Sequence, residues 1–316
     1  MDVVIDTDPG IGTVGVDPED SLALALAFAS GELDVRAVTC VQGNVPVRHS
    51  FASAARVLEL LDRQHVPLAA GHERPLGGAA RHEQLRRLAE SGRRARVLPA
   101  AEGPLAEPRA VELIVRTARE HAPLTVIAIG PLTNLASALL ADPSLPDRLE
   151  RVVVMGGAFE TPGNVTPTAE FNFFMDPEAA NVVLASGLTP VLLGLDICHR
   201  THLTPEQLTQ VGFHSPFGRF LRRVSDEWLH GSDDGPHLYD SLAVACAVNS
   251  DLFEYTPALV HVETASEPLA GTSAAWLPGR ASAWSRPDRP DNALIATDVD
   301  LEAFESLFGA RVLARL

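Results

Sequence analysis

Acids crowd the start of the chain. Asp6 and Asp8, spaced i, i+2, end the β-branched run Val3-Val4-Ile5, and Asp17, Glu19 and Asp20 follow a Gly-rich loop ahead of the apolar run Leu22 to Phe28. Four or five carboxylates in one place repel one another strongly unless a cation stands among them. Hard divalent cations, Ca²⁺ above all, take about six to eight oxygen ligands and favour carboxylates. Helix capping offers a plainer role for Asp17 or Glu19, because negative charge suits a helix N-terminus. It leaves Asp6 and Asp8, ahead of the loop, without a reason.

Polar residues recur just past later apolar runs. Asn44 follows Val41, Ile129 adjoins Gly130, and Met155 precedes Gly156-Gly157; Asn164, Glu170, Phe171 and Asn172 come soon after. His237, Tyr239 and Asp240 stand ahead of the apolar run Ser241 to Val248. Each Asn alone reads as a loop residue closing its own turn. As a set, carboxylates and carboxamides suit a polyhydroxylated ligand, since each can take two hydroxyl hydrogen bonds. They also suit glycosidic chemistry: an oxocarbenium-like transition state is stabilised by surrounding negative charge, and a carboxylate activates water.

For these residues to meet, the apolar runs before them must lie side by side. Residues 3–5, 33–41, 66–71, 124–129, 151–154 and 190–195 read as strands; 50–61, 110–121 and 177–186 read as helices, and the turn 130–134 leads into another helix to about 141. Their alternation implies a parallel sheet with right-handed crossovers. The expected fold is α/β: a single open, mostly parallel sheet with helices on both faces and a largely helical C-terminal part, one domain over residues 1–316. That last part is mostly helical to about 249, with strands near 258–262 and 292–295 and a final helix from 301. Ligands of such sheets bind beyond the carboxyl ends of the strands. Residues 72–108, rich in Gly, Ala, Arg and Pro, are weakly periodic and read as a flap or a partner contact.

Composition excludes several classes. A formal charge of −16 argues against nucleic acid and against an anionic membrane surface. All 25 residues counted as Lys or Arg are Arg, so lysine Schiff bases and P-loops are ruled out. Cys40, Cys198 and Cys246 lie in apolar surroundings without metal-ligand spacing and read as reduced core residues. The first strand begins too early to leave room for a signal peptide, and the expected location is the cytoplasm.

Several stretches together resemble one family, the inosine-uridine-preferring nucleoside hydrolases. They are Asp6-Thr7-Asp8-Pro9-Gly10, Gly43-Asn44, Gly130-Pro131-Leu132-Thr133-Asn134, Val154-Met155-Gly156-Gly157, Gly163-Asn164-Val165-Thr166-Pro167, Ala169-Glu170-Phe171-Asn172, Asp176-Pro177-Glu178-Ala179 and Asp240-Ser241-Leu242-Ala243-Val244-Ala245. They follow the family's order over nearly the whole chain. The resemblance implies a Rossmann-like nucleoside hydrolase fold and Ca²⁺-dependent cleavage of ribonucleosides into free base and ribose. By the same resemblance Asp8 is the general base and a metal ligand, Asp20, Asp240 and the carbonyl of Ile129 are further ligands, and Asp6 is an acid of the metal site or one standing just behind the ligands. Glu19, Asn44, Asn164, Glu170 and Asn172 are implied partners of the ribose hydroxyls, with Met155 beside the sugar and Phe171 in the base pocket. The implied partner is a small nucleoside, and the implied assembly a homodimer or homotetramer.

The chain departs from the family pattern in three places. The loop from Ile11 to Asp17 is longer, and Glu19 stands where an Asp is usual, so either Glu19 or Asp17 supplies that ribose contact. Tyr239 replaces a His thought to assist the leaving base. A phenol, with pKa about 10, is a poorer acid at neutral pH, so Tyr239 packs on the base or donates to it, with His237 as an alternative acid and His199 a further histidine to test. The His-Gly loop expected within 72–108 is absent. Two other readings compete: a non-catalytic nucleoside or ribose binder of the same fold, and a Mg²⁺-dependent phosphohydrolase with a strand-ending Asp-x-Asp, which the lack of lysine opposes.

Overall fold

The β-branched run at the start becomes β1 (Asp2–Thr7), buried from its second residue onward. The computed structural model describes residues 1–13, 16–77, 101, 109–204, 207, 212–224, 237–279 and 285–316. Around β1 lie β2 (Asp34–Cys40), β3 (Leu68–Ala70), β4 (Leu124–Ala128), β5 (Leu149–Met155), β6 (Val191–Leu193), β7 (Phe253–Val262), β8 (Ser273–Trp276) and β9 (Ala293–Val299). Among the described residues they form one sheet, ordered β3-β2-β1-β4-β5-β6-β9-β7-β8. From β3 to β9 neighbours are parallel, and β7 runs antiparallel to both β9 and β8.

The helices are α1 (Glu19–Ala29), α2 (Val47–Leu60), α3 (Ala110–Glu120), α4 (Thr133–Ala141), α5 (Phe171–Met175), α6 (Pro177–Leu184), α7 (Leu195–Cys198), α8 (Pro216–Val224), α9 (Tyr239–Val248) and α10 (Leu301–Arg311). Alternate strand residues point to opposite faces, and each face has its own core. Val3, Ile5, Ile127 and Val153 pack against α1, α9 and α10; Val4, Val126, Val152 and Val154 pack against α3, α4 and α6. Helix α9 is buried nearly throughout, which its Ala-rich sequence allows.

The expected alternation of strands and helices is present. Strand β8 was not foreseen: its four residues, Ser-Ala-Ala-Trp, are too few and too small to carry a periodic signal. Between 195 and 249 the described residues hold α7, α8 and α9, and the remainder of the expected helical stretch is partly outside them. Of the 72–108 stretch, 78–100 and 102–108 also lie outside the described residues. No helix among the described residues is long and apolar enough to cross a membrane.

Candidate active site

The sheet order reverses beside β1: β2 follows it on one side, while β4 takes the other. Such a switch point leaves a crevice at the carboxyl ends of the strands. The acids of β1 emerge there. Asp6 is still in the strand, paired with Thr39 of β2 and Ala128 of β4, and is fully buried. Its Oδ1 accepts from Thr39 Oγ1 at 2.6 Å and from Asn134 Nδ2 at 2.8 Å. Asp8, past the strand end, accepts the Asn44 N–H on Oδ2 at 2.6 Å. A side chain at Gly43 would place its Cβ 1.9 Å from that same oxygen, so only glycine lets the backbone come so close.

The second set of acids comes from two helix starts. Asp20, in the first turn of α1, accepts on Oδ1 from Thr7 Oγ1 at 2.5 Å and from the Asp8 N–H at 3.0 Å, and Asn44 Nδ2 donates to its Oδ2 at 3.3 Å. Asp17 accepts the Glu19 N–H at 3.1 Å in a local turn ahead of α1, whose cap position is Pro18 and carries no side-chain cap bond, so the plain capping role expected of Asp17 or Glu19 is not what the structure shows. Glu19 reaches across to the other helix and accepts the Tyr239 N–H at 3.1 Å. That bond ties the start of α1 to the start of α9, where Asp240 is also buried.

These acids carry a heavy electrostatic load. Burial pushes Asp6 up to about 7 against its bonds from Thr39 and Asn134. Burial also lifts Asp20 to about 6, against its bond from Thr7. Asp8 is raised by burial and then by the charge of Asp20; Asp240 by burial and then by Asp20, Glu19, Asp17 and Asp8. Among the described residues no Arg forms an ion pair with any of them.

The donors fit a hard divalent cation in kind: carboxylates, a carbonyl at Ile129, and a buried Asp6 Oδ2 with no hydrogen-bond partner. They do not stand as a finished cage. Among the described residues no three His, Cys, Asp or Glu side chains are grouped at metal-holding spacing. One oxygen of Asp6, one of Asp8 and both of Asp20 are engaged with Thr7, the Asp8 N–H, Thr39, Asn44 and Asn134.

Above this acidic floor is a cavity of 260 Å³. Asp17, Glu19, Asn44, Ile129, Met155, Asn164, Glu170, Phe171, Asn172, Tyr239 and Asp240 line it, with Val165 beside them. Asp6, Asp8 and Asp20 are not on its wall. Glu170 accepts three backbone N–H groups, from Asn172, Gly157 and Phe173, and so caps α5. The Asn172 amide donates to the carbonyls of Ile129 at 3.2 Å and Met155 at 3.1 Å. Asn164 accepts the Phe171 N–H at 2.9 Å.

Three rings gather at Tyr239. Tyr239 stacks on His237 at 5.0 Å between centroids, and His199 stands edge-on to Tyr239 at 5.7 Å. His237 bonds through Nδ1 to the Thr201 carbonyl at 2.7 Å and stands behind Tyr239 instead of on the cavity wall. Burial, then the charge of Glu19, raises the Tyr239 phenol; burial, then His237, lowers His199. Neither shift favours a charged ring here. The residue that reading by sequence passed over is Asn134, a turn residue in the Gly-Pro-Leu-Thr-Asn motif that touches Asp6 across 128 positions. Only its motif pointed to it.

A family model described as inosine-uridine preferring nucleoside hydrolase matches residues 3–306. The non-specific ribonucleoside hydrolase RihC of Escherichia coli is 34% identical over 99% of this chain and 98% of its own. The pyrimidine-specific ribonucleoside hydrolase RihA of Escherichia coli is 33% identical over the same shares, 99% and 98%. The solved plant nucleoside hydrolase PpNRh1 superposes with a TM-score of 0.82 at 28% identity, covering 99% of both chains. Relatives of different base preference thus stand at nearly equal distance.

Proposed function

The chain belongs to the inosine-uridine preferring nucleoside hydrolase family, a hydrolase acting on N-glycosyl compounds, and from that premise we propose that it cleaves ribonucleosides to base and ribose with Ca²⁺ held at the acidic rim. The observation that supports this most is the gathering of buried Asp8, Asp20 and Asp240 from the end of β1, the start of α1 and the start of α9: the Asp8 N–H donates to Asp20 Oδ1 at 3.0 Å, and Asp240 borders the cavity above. No basic side chain among the described residues offsets them, and a divalent cation would.

Asp6, Asp8, Asp20, Asp240 and the Ile129 carbonyl are the groups that would hold it. When bound, the cation would supply a positive centre that acidifies water. Asp8 would take a proton from the attacking water as the water's oxygen adds to the anomeric carbon. The C–N bond breaks, its electron pair leaves with the base, and the carboxylates balance the positive sugar ring. Glu19, Asn44, Asn164, Glu170 and Asn172 hold the ribose hydroxyls with Met155 beside the sugar, and Phe171 lies toward the base. Tyr239 packs on the departing base, its raised phenol making it a poor acid; His237 behind it is the alternative proton source.

The test is release of reducing sugar from a panel of purine and pyrimidine nucleosides, with and without chelator. Release that stops in chelator and returns with CaCl₂ supports the reading. Metal-dependent nucleoside binding without release would replace it with a binding protein of the same fold. Phosphate release from a phosphate ester instead would point to a phosphohydrolase.

A further inference from the structure

The chain leaving β5 is held by side chains from other elements. Gly156 still follows the sheet, its N–H on the Leu193 carbonyl at 3.1 Å. The next four N–H groups depart from it, and each meets a side-chain oxygen. Gly157 donates to Glu170 Oε2 at 3.0 Å, and Ala158 to Ser273 Oγ at 2.9 Å. Phe159 and Glu160 both donate to Asp196, at 3.0 Å on Oδ2 and 2.7 Å on Oδ1. Ser273 Oγ also donates back to the Ala158 carbonyl at 3.0 Å, and the Gly157 carbonyl accepts the Leu195 N–H at 2.9 Å.

Asp196 is the half-buried acid of the first turn of α7, and no side-chain bond caps that helix. Both of its oxygens are turned on the loop instead, and N–H bonds to a carboxylate are of the stronger kind. The Phe159 ring seals the join: a Cβ at Gly157 or at Gly194 would fall 2.5 or 2.7 Å from its atoms. Gly157 also has a φ of +93°, a conformation that favours glycine. The loop anchored in this way runs on to Asn164, Val165, Glu170, Phe171 and Asn172, all on the cavity wall. Glu170, bonded back to Gly157, closes it at the far end. Asp196 and Ser273 are not on that wall, so they bear on the cavity only through the loop.

We propose that Asp196 is a positioning residue for the sugar: by fixing the Phe159 and Glu160 amides, with Ser273 on Ala158, it sets where the loop presents Asn164, Glu170 and Asn172 to the ribose hydroxyls. The proposal rests on the reading of the cavity as a ribonucleoside site. Groups that grip the sugar equally before and during cleavage contribute to KM and leave kcat alone.

The test is measurement of KM and kcat on a panel of purine and pyrimidine ribonucleosides, together with competitive inhibition by free ribose. Asp196→Ala should raise KM by roughly 10- to 100-fold, the scale of a small misplacement of binding groups, with kcat changed far less. The inhibition constant of ribose should rise by the same factor, because ribose meets only the sugar-binding groups. Asp196→Asn keeps one acceptor for the two amides and should lose less. Ser273→Ala frees Ala158 and should raise KM in the same direction, which covers the case in which the Asp196 variants do not fold. A folded Asp196→Ala or Ser273→Ala protein with the parent's KM overturns the proposal. A fall in kcat at unchanged KM also overturns it, and so does a raised KM with ribose inhibition unchanged, since Asp196 would then act on the chemistry or on the base. A parent that releases no sugar from any nucleoside ends the underlying reading instead, and this inference with it.

Discussion

Helix α4 has an acid at each end, and the two are treated in opposite ways. At its start, Asn134 holds Asp6, which burial pushes up to about 7. Just past its far end, Asp142 accepts from Ser144 Oγ at 2.5 Å and Arg119 at 2.8 Å, with Arg148 at 3.5 Å. These partners, Ser144 first and Arg119 next, pull Asp142 down to about 2. The same residue type thus serves two ends. Asp142 is matched by opposite charge and stabilises the fold as an anion. Asp6 and its neighbours are matched only by neutral donors, and their charge works against the fold until something positive arrives. Strongly perturbed carboxylates gathered beside a cleft with no opposite charge to match them are candidates for a functional site.

The largest effect that would break this contrast is at Asp8. Asp8→Asn should lower turnover by about 10²- to 10⁴-fold, while in chelator the variant melts no lower than the parent, because a repelling charge has been removed. Near-parental turnover would refute the assignment of the base. Next comes the metal: CaCl₂ should raise the melting temperature of the parent, by about 2.7 kcal/mol of stability at roughly a hundred times the dissociation constant. Calorimetric melts with and without chelator check this, and Asp240→Asn should lose most of the gain.

Asp142→Asn should do the reverse of Asp8→Asn, lowering the melting temperature and leaving turnover intact. The sign follows from the depressed pKa: the carboxylate's contribution is full above the ordinary 3.8 and is lost as pH falls through about 2. The deficit of the variant should therefore be seen at neutral pH and shrink on acidification. Smallest is Tyr239→Phe, for which the turnover of inosine should be nearly unchanged; a large loss would make the phenol a proton donor.

The asymmetry between these acids also explains what could be read without coordinates. Asp6 and Asp8 were legible because a β-branched run ends on them, and the end of a strand is a position that local pattern reports. Glu19 and Asp240 were legible as helix starts before apolar runs. The pairing between them was not, because the Glu19 to Tyr239 bond joins residues 220 apart and depends on α1 and α9 packing together on one face. Asn134 looked like a turn residue since its partners lie on three other segments. The rings of His199, His237 and Tyr239 come from irregular backbone and a helix start, where no period foretells who meets whom.

The central claim is that Asp8, Asp20 and Asp240 share one cation above which the sugar is attacked. A crystal structure of the protein grown with CaCl₂ tests it most directly. The account predicts an anomalous peak bound by Asp8, Asp20, Asp240 and the Ile129 carbonyl, with the oxygens withdrawn from their present hydrogen bonds. A protein that hydrolyses nucleosides in the crystallisation buffer and shows no ion among those residues would contradict it.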